Sequence, residues 1–156
     1  MNVAVASDHA GALLHDAIVA ELAGLGHAVT DTGKPNGPVD YPDAAAKVVT
    51  LIATGAVERA VLICGSGVGI SVAANKAPGV RAAICHDSFS AHQGVEDDAM
   101  NVLCLGARVI GRELALELTK VFMKASFSGA PRHLRRLRKV EALERPGGSL
   151  AEVHLD

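Results

Sequence analysis

A cysteine, Cys64, immediately precedes a glycine-rich loop in the stretch VLICGSGVG, residues 61–69. Glycines at positions 65, 67 and 69 let backbone N–H groups turn toward one point, and such a loop binds an anion, either a phosphate or a transient oxyanion. A free thiol has a pKa of about 8.5 that falls at a helix N-terminus, and the thiolate can act as a nucleophile or a base. This pairing predicts removal of a proton next to a carbonyl, with the N–H groups holding the resulting enediolate.

The glycine loop does not match the common nucleotide-binding loops. Its spacing is GxGxG rather than the dinucleotide fingerprint GxGxxG, and it lacks the Lys-Ser or Lys-Thr pair of a nucleotide P-loop. For the loop alone, a tight structural turn without a ligand is the alternative. A second cysteine, Cys104, falls in the middle of a predicted strand, where we expect it to be a small apolar filler.

The last third of the chain carries a cluster of basic residues: Arg132, His133, Arg135, Arg136, Arg138 and Lys139. Arg132 and Arg136 are four residues apart, which places them on one face of a helix. Two guanidinium groups on one face match the geometry of a phosphate. A solvated helix face or a seam of ion pairs is the alternative. Nucleic-acid binding is a weaker one, because the net charge of the chain is −2.

Apolar runs that suit buried strands alternate with helical patterns along the chain. Strands are predicted at residues 2–7, 27–31, 58–64, 80–85 and 101–106. Helices are predicted over residues 10–26, 42–55, 69–76 and 112–125, and two further helices are predicted to begin near residues 87 and 131. Five β units separated by helices predict an α/β fold, a Rossmann-like, doubly wound, parallel five-stranded sheet in three αβα layers. We expect a single domain over 1–145 and a flexible tail over 146–156.

The composition agrees with this fold. Hydrophobic residues make up 49% of the 156 residues and aromatic residues only 3%, so the core must be aliphatic, as in a helix-covered parallel sheet. The three cysteines show neither paired nor metal-binding spacing, which favours a reduced, cytoplasmic protein without a metal site. We expect no signal peptide and no membrane span, because the opening MNVAVASDHAG soon becomes polar and no apolar run is long enough.

In an open parallel sheet, ligands bind beyond the carboxyl ends of the strands. Polar and reactive residues follow the predicted strands at that edge: Ser7-Asp8-His9, Thr32-Gly33, Cys64-Gly65-Ser66, His86-Asp87 and Gly106-Ala107-Arg108. Loops are polar in general, which accounts for the serines and glycines. The presence of Asp-His and Cys-Gly together at one edge favours a reactive site.

These motifs together resemble ribose-5-phosphate isomerase B and its relatives, which include galactose-6-phosphate isomerase subunits and tetrose-phosphate isomerases. The resemblance spans residues 2–145 and is carried by SDHAG at 7–11, DYP at 40–42, ICGSGVGIS at 63–71 with AANK at 73–76, NVLCLGARVIG at 101–111 and RHLRR at 132–136. It implies an aldose–ketose isomerase that acts on a sugar phosphate without metal, nucleotide or other cofactor. It also implies a homodimer, or a dimer of dimers, with active sites shared between subunits and without nucleic-acid or membrane partners.

The resemblance assigns the reacting end of the sugar to the residues around the glycine loop. By this resemblance Cys64 is the base that moves a proton between C1 and C2, and Ser66 assists proton movement at the sugar oxygens. The loop itself supplies the anion hole through Gly65, Gly67, Val68 and Gly69. One branch of the family uses the cysteine before the loop, whereas the other uses a glutamate just after it. Ile70 occupies the second position here, which places the chain in the cysteine branch.

The resemblance assigns the rest of the sugar to residues from other strands. Asp8 and His9 contact the sugar, with His9 near the phosphate, and Tyr41 lines the pocket. The phosphate is held by arginines, of which the last two reach in from the partner subunit: Arg108, Arg132 and Arg136.

One departure from the family pattern concerns ring opening. Members that act on ribose 5-phosphate usually carry His-Asn eleven residues before the arginine of the fifth strand, and the histidine opens the furanose ring. This chain has Asp97 and Asp98 there. Three explanations stay open: Asp97 opens the ring, His92 or His86 replaces the histidine, or the substrate is a four-carbon sugar phosphate that needs no ring opening.

The leading hypothesis from the sequence is therefore an isomerase that interconverts ribose 5-phosphate and ribulose 5-phosphate through a cis-enediolate. A tetrose phosphate or a hexose phosphate is the alternative substrate. The rival class is a non-enzymatic, flavodoxin-like module that binds a small anion. Such a module shares the fold, but it gives no reason for a cysteine, a glycine loop and a remote arginine pair to occur together.

Overall fold

The computed structural model gives the fold of residues 1–144, so Arg145 and the tail predicted over 146–156 lie outside the described residues. Strands and helices alternate until two helices close the chain. In order they are β1 Asn2–Ser7, α1 Ala12–Gly24, β2 Ala28–Asp31, α2 Tyr41–Ala53, β3 Arg59–Cys64, α3 Val68–Ala74, β4 Ala82–Ile84, α4 Ser88–Asp98, β5 Val102–Gly106, α5 Arg112–Lys124 and α6 Pro131–Leu143.

The five strands form one parallel sheet in the order β2-β1-β3-β5-β4, which confirms the predicted fold class. The fourth strand is shorter than the predicted 80–85. Its start is delayed because the Arg81 amide donates to the side-chain oxygen of Asn101 (2.8 Å) and the Val80 amide donates to the Ala77 carbonyl (3.3 Å). The Val80 amide is therefore used in a turn and the Arg81 amide in a side-chain contact, before the strand begins.

Successive residues of the central strands point to opposite faces of the sheet, as the two-residue period of a strand requires. One face packs against α1, α4 and α5 through residues such as Val61, Ile63 and Phe122. The other packs against α2 and α3 through residues such as Leu62 and Cys104. Cys104 is fully buried, which confirms its expected role as an apolar filler.

The strand order creates a crevice beside the carboxyl end of β3. The helix after β3 packs on one face of the sheet, whereas the helices after its neighbours β1 and β5 pack on the other face. The three loops therefore diverge and leave a gap between them, which is where open α/β sheets bind ligands. Within residues 1–144, no helix combines the length and hydropathy needed to cross a bilayer.

A buried histidine ties the first three elements together. His15 of α1 is fully buried, and its Nδ1 lies 2.9 Å from the Ser7 hydroxyl while its Nε2 lies 2.8 Å from Asp31 Oδ1. Because both ring nitrogens have a polar partner, the burial of this imidazole is compensated. The contact links the end of β1 to α1 and to the edge strand β2.

Candidate active site

A cavity of about 390 Å³ opens in the crevice at the carboxyl ends of β1, β3 and β5. It is lined by Asp8, His9, Ala10, Tyr41, Cys64, Gly65, Ser66, Gly69, Arg108 and Val109. The structure thus brings together eight of the residues that the sequence singled out, although they come from four separate segments.

Cys64 ends β3 and lies at the base of this cavity. Its side chain is only 4% exposed and also touches the core between the sheet and helices α2 and α3. The Gly67 amide donates a hydrogen bond to Cys64 Sγ at 3.0 Å. The hydrogen bond from the Gly67 amide therefore holds the sulfur of a residue that lines the cavity.

The glycine loop owes its shape to Gly67. This residue has φ +83°, a left-handed conformation that costs a residue with a Cβ roughly 1–2 kcal/mol. The turn allows the Gly67 amide to reach the sulfur, while the Val68 amide donates to Ser66 Oγ at 3.2 Å. Val68 itself is exposed at the start of α3. These two amides bind the Cys64 sulfur and the Ser66 hydroxyl, and the anion hole expected of this loop stays a prediction.

Asp8, His9 and Tyr41 close the cavity from the side of β1 and α2. Asp8 is buried and accepts a hydrogen bond from the Gly11 amide at 2.9 Å. His9 Nδ1 lies 3.1 Å from the carbonyl oxygen of Val39, which leaves Nε2 available to a ligand. The Tyr41 ring covers Gly69 so closely that a Cβ added to that glycine would lie 2.9 Å from Tyr41 Cζ.

Arg108 supplies a guanidinium to the cavity from the loop after β5. Its amide donates to the Gly65 carbonyl at 3.0 Å, and the neighbouring Ala107 amide donates to the Cys64 carbonyl at 2.9 Å. These two bonds tie the arginine-bearing loop to the glycine loop. The Arg108 side chain therefore lies beside Gly65 of the glycine loop, where its charge suits a phosphorylated or oxyanionic ligand.

The remaining predicted residues do not line this cavity within one chain. Asp97, Arg132 and His133 form a separate cluster where α6 packs on α4, with Arg132 Nε donating to His133 Nε2 at 2.9 Å. Arg136 is exposed one turn further along α6. Asp98 instead lines a larger cavity of about 620 Å³ beside α3, α4 and α6, which contains none of the loop residues.

The two histidines considered as substitutes for the family histidine are engaged elsewhere. His86 Nε2 accepts a hydrogen bond from the Gly106 amide at 3.0 Å, at the end of β5. His92 pairs with Glu96 one turn away on α4, at 3.2 Å. Neither histidine lines the cavity that contains Cys64.

Three residues at or near these sites were not assigned a role from the sequence. Ala10 and Val109 line the cavity simply because they follow the selected Asp8-His9 pair and Arg108. His133 was placed in the basic cluster only, yet it is buried and contacts both Arg132 and Asp97. Its position between two selected arginines was a signal, but its burial depends on how α6 packs.

This chain is similar to a known family of enzymes and to several of its members. The model of the family described as Ribose/Galactose Isomerase matches residues 3–140. Ribose-5-phosphate isomerase B of Escherichia coli is 40% identical, covering 92% of this chain and 96% of that protein. D-erythrulose-4-phosphate isomerase of Pectobacterium atrosepticum is 39% identical, covering 83% of this chain and 86% of that protein.

A solved structure gives the same result at the level of the fold. The ribose-5-phosphate isomerase B of Clostridium thermocellum superposes with a TM-score of 0.89 at 42% identity, covering 92% of this chain and 97% of that one. The sequence motifs and the parallel sheet agree with these matches. The chain therefore belongs to the ribose/galactose isomerase family.

Proposed function

We propose that this protein is a sugar-phosphate isomerase that interconverts ribose 5-phosphate and ribulose 5-phosphate. The observation that carries the proposal is the cavity that Cys64, residues of the glycine loop and Arg108 line together, with the Gly67 amide bound to Cys64 Sγ. Family membership and the similarity to ribose-5-phosphate isomerase B support the same reaction. A non-enzymatic anion-binding module does not account for a buried sulfur held at the base of this cavity.

The proposed mechanism is a proton transfer through a cis-enediolate. The Cys64 thiolate takes the proton from C2 of the open-chain aldose, and the C–H electron pair forms the C1–C2 double bond while O1 becomes an oxyanion. Amides of the loop from Gly65 to Gly69 stabilise this oxyanion. Ser66 assists transfer of the O2 proton to O1, and the thiol returns its proton to C1 as O2 becomes the ketone oxygen. Every atom in these steps comes from substrate or protein, so we propose that the reaction needs no cofactor.

Asp8 and His9 bind the sugar hydroxyls in this proposal, and Tyr41 bounds the pocket. The phosphate lies toward His9 and Arg108. Arg132 and Arg136 complete the phosphate site from the partner subunit of a homodimer, since α6 does not reach the cavity of its own chain. The exposed side chains of Val68 and Val72, each 54% exposed beside the cavity, support an interface there. The three free thiols support a reducing, cytoplasmic location.

A second candidate substrate is a tetrose 4-phosphate. One reason is that Asp97 already accepts a hydrogen bond from Gln93 at 2.8 Å and contacts His133. Another is that neither His86 nor His92 lines the cavity. A four-carbon substrate needs no ring-opening group. The similarity to a D-erythrulose-4-phosphate isomerase points the same way.

The test is an isomerase assay with four-, five- and six-carbon aldose phosphates on the wild type and on Cys64→Ala. We expect kcat to fall about a thousandfold in Cys64→Ala, because a general base contributes about 10²–10⁴ to the rate, while circular dichroism shows an unchanged fold. Cys85→Ala, a buried cysteine outside the cavity, is the control and should stay within about twofold of wild type. A near-normal rate for Cys64→Ala would exclude this sulfur as the base.

Asp97→Asn separates the explanations for ring opening. If the Asp97 carboxylate opens the ring, the variant loses turnover of ribose 5-phosphate but keeps that of an acyclic tetrose phosphate. If the natural substrate is acyclic, the variant keeps tetrose turnover and the wild type itself turns over ribose 5-phosphate poorly. The ratio of kcat/KM for the two sugars, in the wild type and in Asp97→Asn, is the measurement.

A further inference from the structure

His133 is a buried histidine in the first turn of α6, and the proposed mechanism gives it no role. Its side chain is 2% exposed. Nδ1 lies 2.6 Å from Ser128 Oγ, whereas Nε2 has two neighbours: Arg132 Nε at 2.9 Å and Asp97 Oδ1 at 3.3 Å. Because Arg132 is one of the proposed phosphate ligands, the contact between the two side chains bears on substrate binding.

The hydrogen-bonding capacity of the groups decides which proton goes where. A guanidinium can only donate, so Nε2 must offer a lone pair to Arg132 and the ring proton must be on Nδ1. Nδ1–H then donates to Ser128 Oγ, which also accepts from the Ala130 amide at 3.3 Å. A hydroxyl oxygen has two acceptor sites, so both bonds are satisfied together. Asp97 Oδ2 accepts from Gln93 at 2.8 Å, and its Oδ1 stays 3.3 Å from Nε2, a longer contact than the 2.9 Å of Arg132 Nε.

The bond at Nε has a consequence for the rest of the Arg132 side chain. Arg132 is an exposed residue, and a free arginine side chain loses up to about 2 kcal/mol of rotamer entropy when it is immobilised. A hydrogen bond at Nε fixes the plane of the guanidinium before any ligand binds. It leaves both terminal nitrogens free, and these are the atoms that make a two-pronged contact with a phosphate.

We propose that His133 is a positioning residue for Arg132: its neutral ring, anchored by Ser128, accepts the Nε–H bond and presents the guanidinium to the phosphate of the sugar. The proposal rests on the proposed function for the identity of the ligand. It predicts that His133 affects the binding of the phosphorylated substrate and leaves the proton-transfer step to Cys64.

Two substitutions of His133 separate the acceptor at Nε2 from the anchor at Nδ1. In His133→Gln the side-chain amide reaches the position of Nε2 and keeps an acceptor for Arg132. In His133→Asn the shorter amide reaches only the position of Nδ1, next to Ser128. We expect KM for the sugar phosphate to rise about tenfold in His133→Asn with kcat within about twofold, since a lost hydrogen bond to a charged group costs roughly this factor. His133→Gln should stay close to wild type, and Arg135→Ala, an exposed arginine of the same helix, serves as the surface control.

A double-mutant cycle shows whether His133 acts through Arg132. In an Arg132→Ala background, His133→Asn should raise KM no further. An equal further rise would overturn the proposal, as would a loss of kcat without a change in KM. If His133→Asn fails to fold, judged by circular dichroism, His133→Gln and the following measurement still decide the question.

Nuclear magnetic resonance tests the contact itself without relying on turnover. The measurement is made on the ¹⁵N-labelled full chain. The proposal is supported by a scalar coupling across the hydrogen bond between Arg132 Nε and His133 Nε2, together with ¹⁵N chemical shifts of the Nδ1–H tautomer of His133. A ring protonated at Nε2 without the coupling overturns it.

Inorganic phosphate serves as the probe if no sugar phosphate is turned over. The proposed reaction then fails, while weaker phosphate binding in His133→Asn still supports the positioning role. Normal isomerase activity with unchanged KM in His133→Asn overturns the positioning role and leaves the proposed reaction intact.

Discussion

The three cysteines show how strongly the surroundings of a residue decide its chemistry. Cys85 is buried beside Met100, and burial, together with the nearby Asp87 charge, raises the pKa of its thiol to about 11. Complete burial also raises the pKa of Cys104. Cys64 is nearly as buried as these two, but it lines the cavity and its sulfur accepts a hydrogen bond from the Gly67 amide. Cys64 is thus the cysteine for which the fold supplies both a donor and a space for a reactant.

Alkylation with iodoacetamide at pH 8 should distinguish these thiols. We expect Cys64 to be labelled and a sugar phosphate to block the labelling, because the ligand would cover the cavity. Cys85 should stay unlabelled, since its pKa of about 11 leaves almost no thiolate at this pH and its sulfur is enclosed. Peptide mass spectrometry gives the site, and Cys64→Ala should lose the label. Equal, slow labelling of all three cysteines would argue against a reactive Cys64.

At the scale of the elements, the end of β5 holds the glycine loop in place. A Cβ added to Gly106 would lie only 2.6 Å from the Ser66 carbonyl oxygen, and the Gly106 amide is already bound to His86. The loop after β3 can therefore pack against β5 only if position 106 has no side chain. This close approach also brings the Arg108 loop to the cavity.

We expect Gly106→Ala to lower the free energy of unfolding by about 2 kcal/mol, the typical cost of overpacking, and to impair activity by displacing Ser66. Gly24→Ala is the matched control because nothing lies within 4 Å of its added Cβ. At the end of α1, alanine should be neutral or stabilise by up to about 1 kcal/mol. Urea unfolding gives both values, and equal effects of the two substitutions would contradict the packing explanation.

The contact from α1 to β2 through His15 and Asp31 makes one part of the fold sensitive to acid. Partial burial alone would raise the pKa of Asp31, but the hydrogen bond from the Gly33 amide and the contact with His15 outweigh burial and lower it. A carboxylate with a lowered pKa in the folded state stabilises that state above its ordinary pKa, and this contribution is lost as the pH falls through the lowered value.

Asp31→Asn should therefore destabilise the protein at neutral pH, and the difference from wild type should shrink below about pH 4. The effect should be modest because the Asp31 side chain is 44% exposed and solvent screens its charge. Urea unfolding of both proteins at a series of pH values measures the difference. A difference that is constant across the series would show that the charge of Asp31 is not the cause.

At the scale of the whole molecule, the candidate site consists of two parts that lie apart in one chain. The cavity contains Cys64 and Arg108, whereas Arg132 and Arg136 lie on α6. If the protein is the proposed homodimer, the cavity of one chain is completed by α6 of the other. This arrangement has a consequence that can be measured by mixing inactive variants.

Cys64→Ala and Arg136→Ala should each be nearly inactive, and refolding them together should restore activity. Random pairing makes half of the dimers mixed, and one of the two sites in each mixed dimer is intact, so about a quarter of wild-type activity should return. Cys64→Ala refolded with Cys64→Ser is the control and should restore none. No recovery in the first mixture would place the arginine and the cysteine of a working site in the same chain.

Most of the fold could be predicted from the sequence, because each element has a local cause. Apolar runs mark the strands, Gly26 lies two residues beyond the end of α1 at Gly24, and Pro131 is the first residue of α6. The bounds of β4 were missed because they depend on side-chain bonds from Asn101, twenty residues away. The order of the strands, with β5 between β3 and β4, likewise has no local signal.

The sequence by itself determined the fold class, the family motifs and the chemical types at the carboxyl edge, since composition, periodicity and spacing are local properties of the chain. Only the tertiary structure decided which of these residues meet. It joined Asp8, Cys64 and Arg108 because the helices after β1, β3 and β5 leave the sheet on different faces. It also separated Asp97 from that cavity and set His133 against Arg132, because the packing of α6 on α4 depends on contacts between residues far apart in the chain.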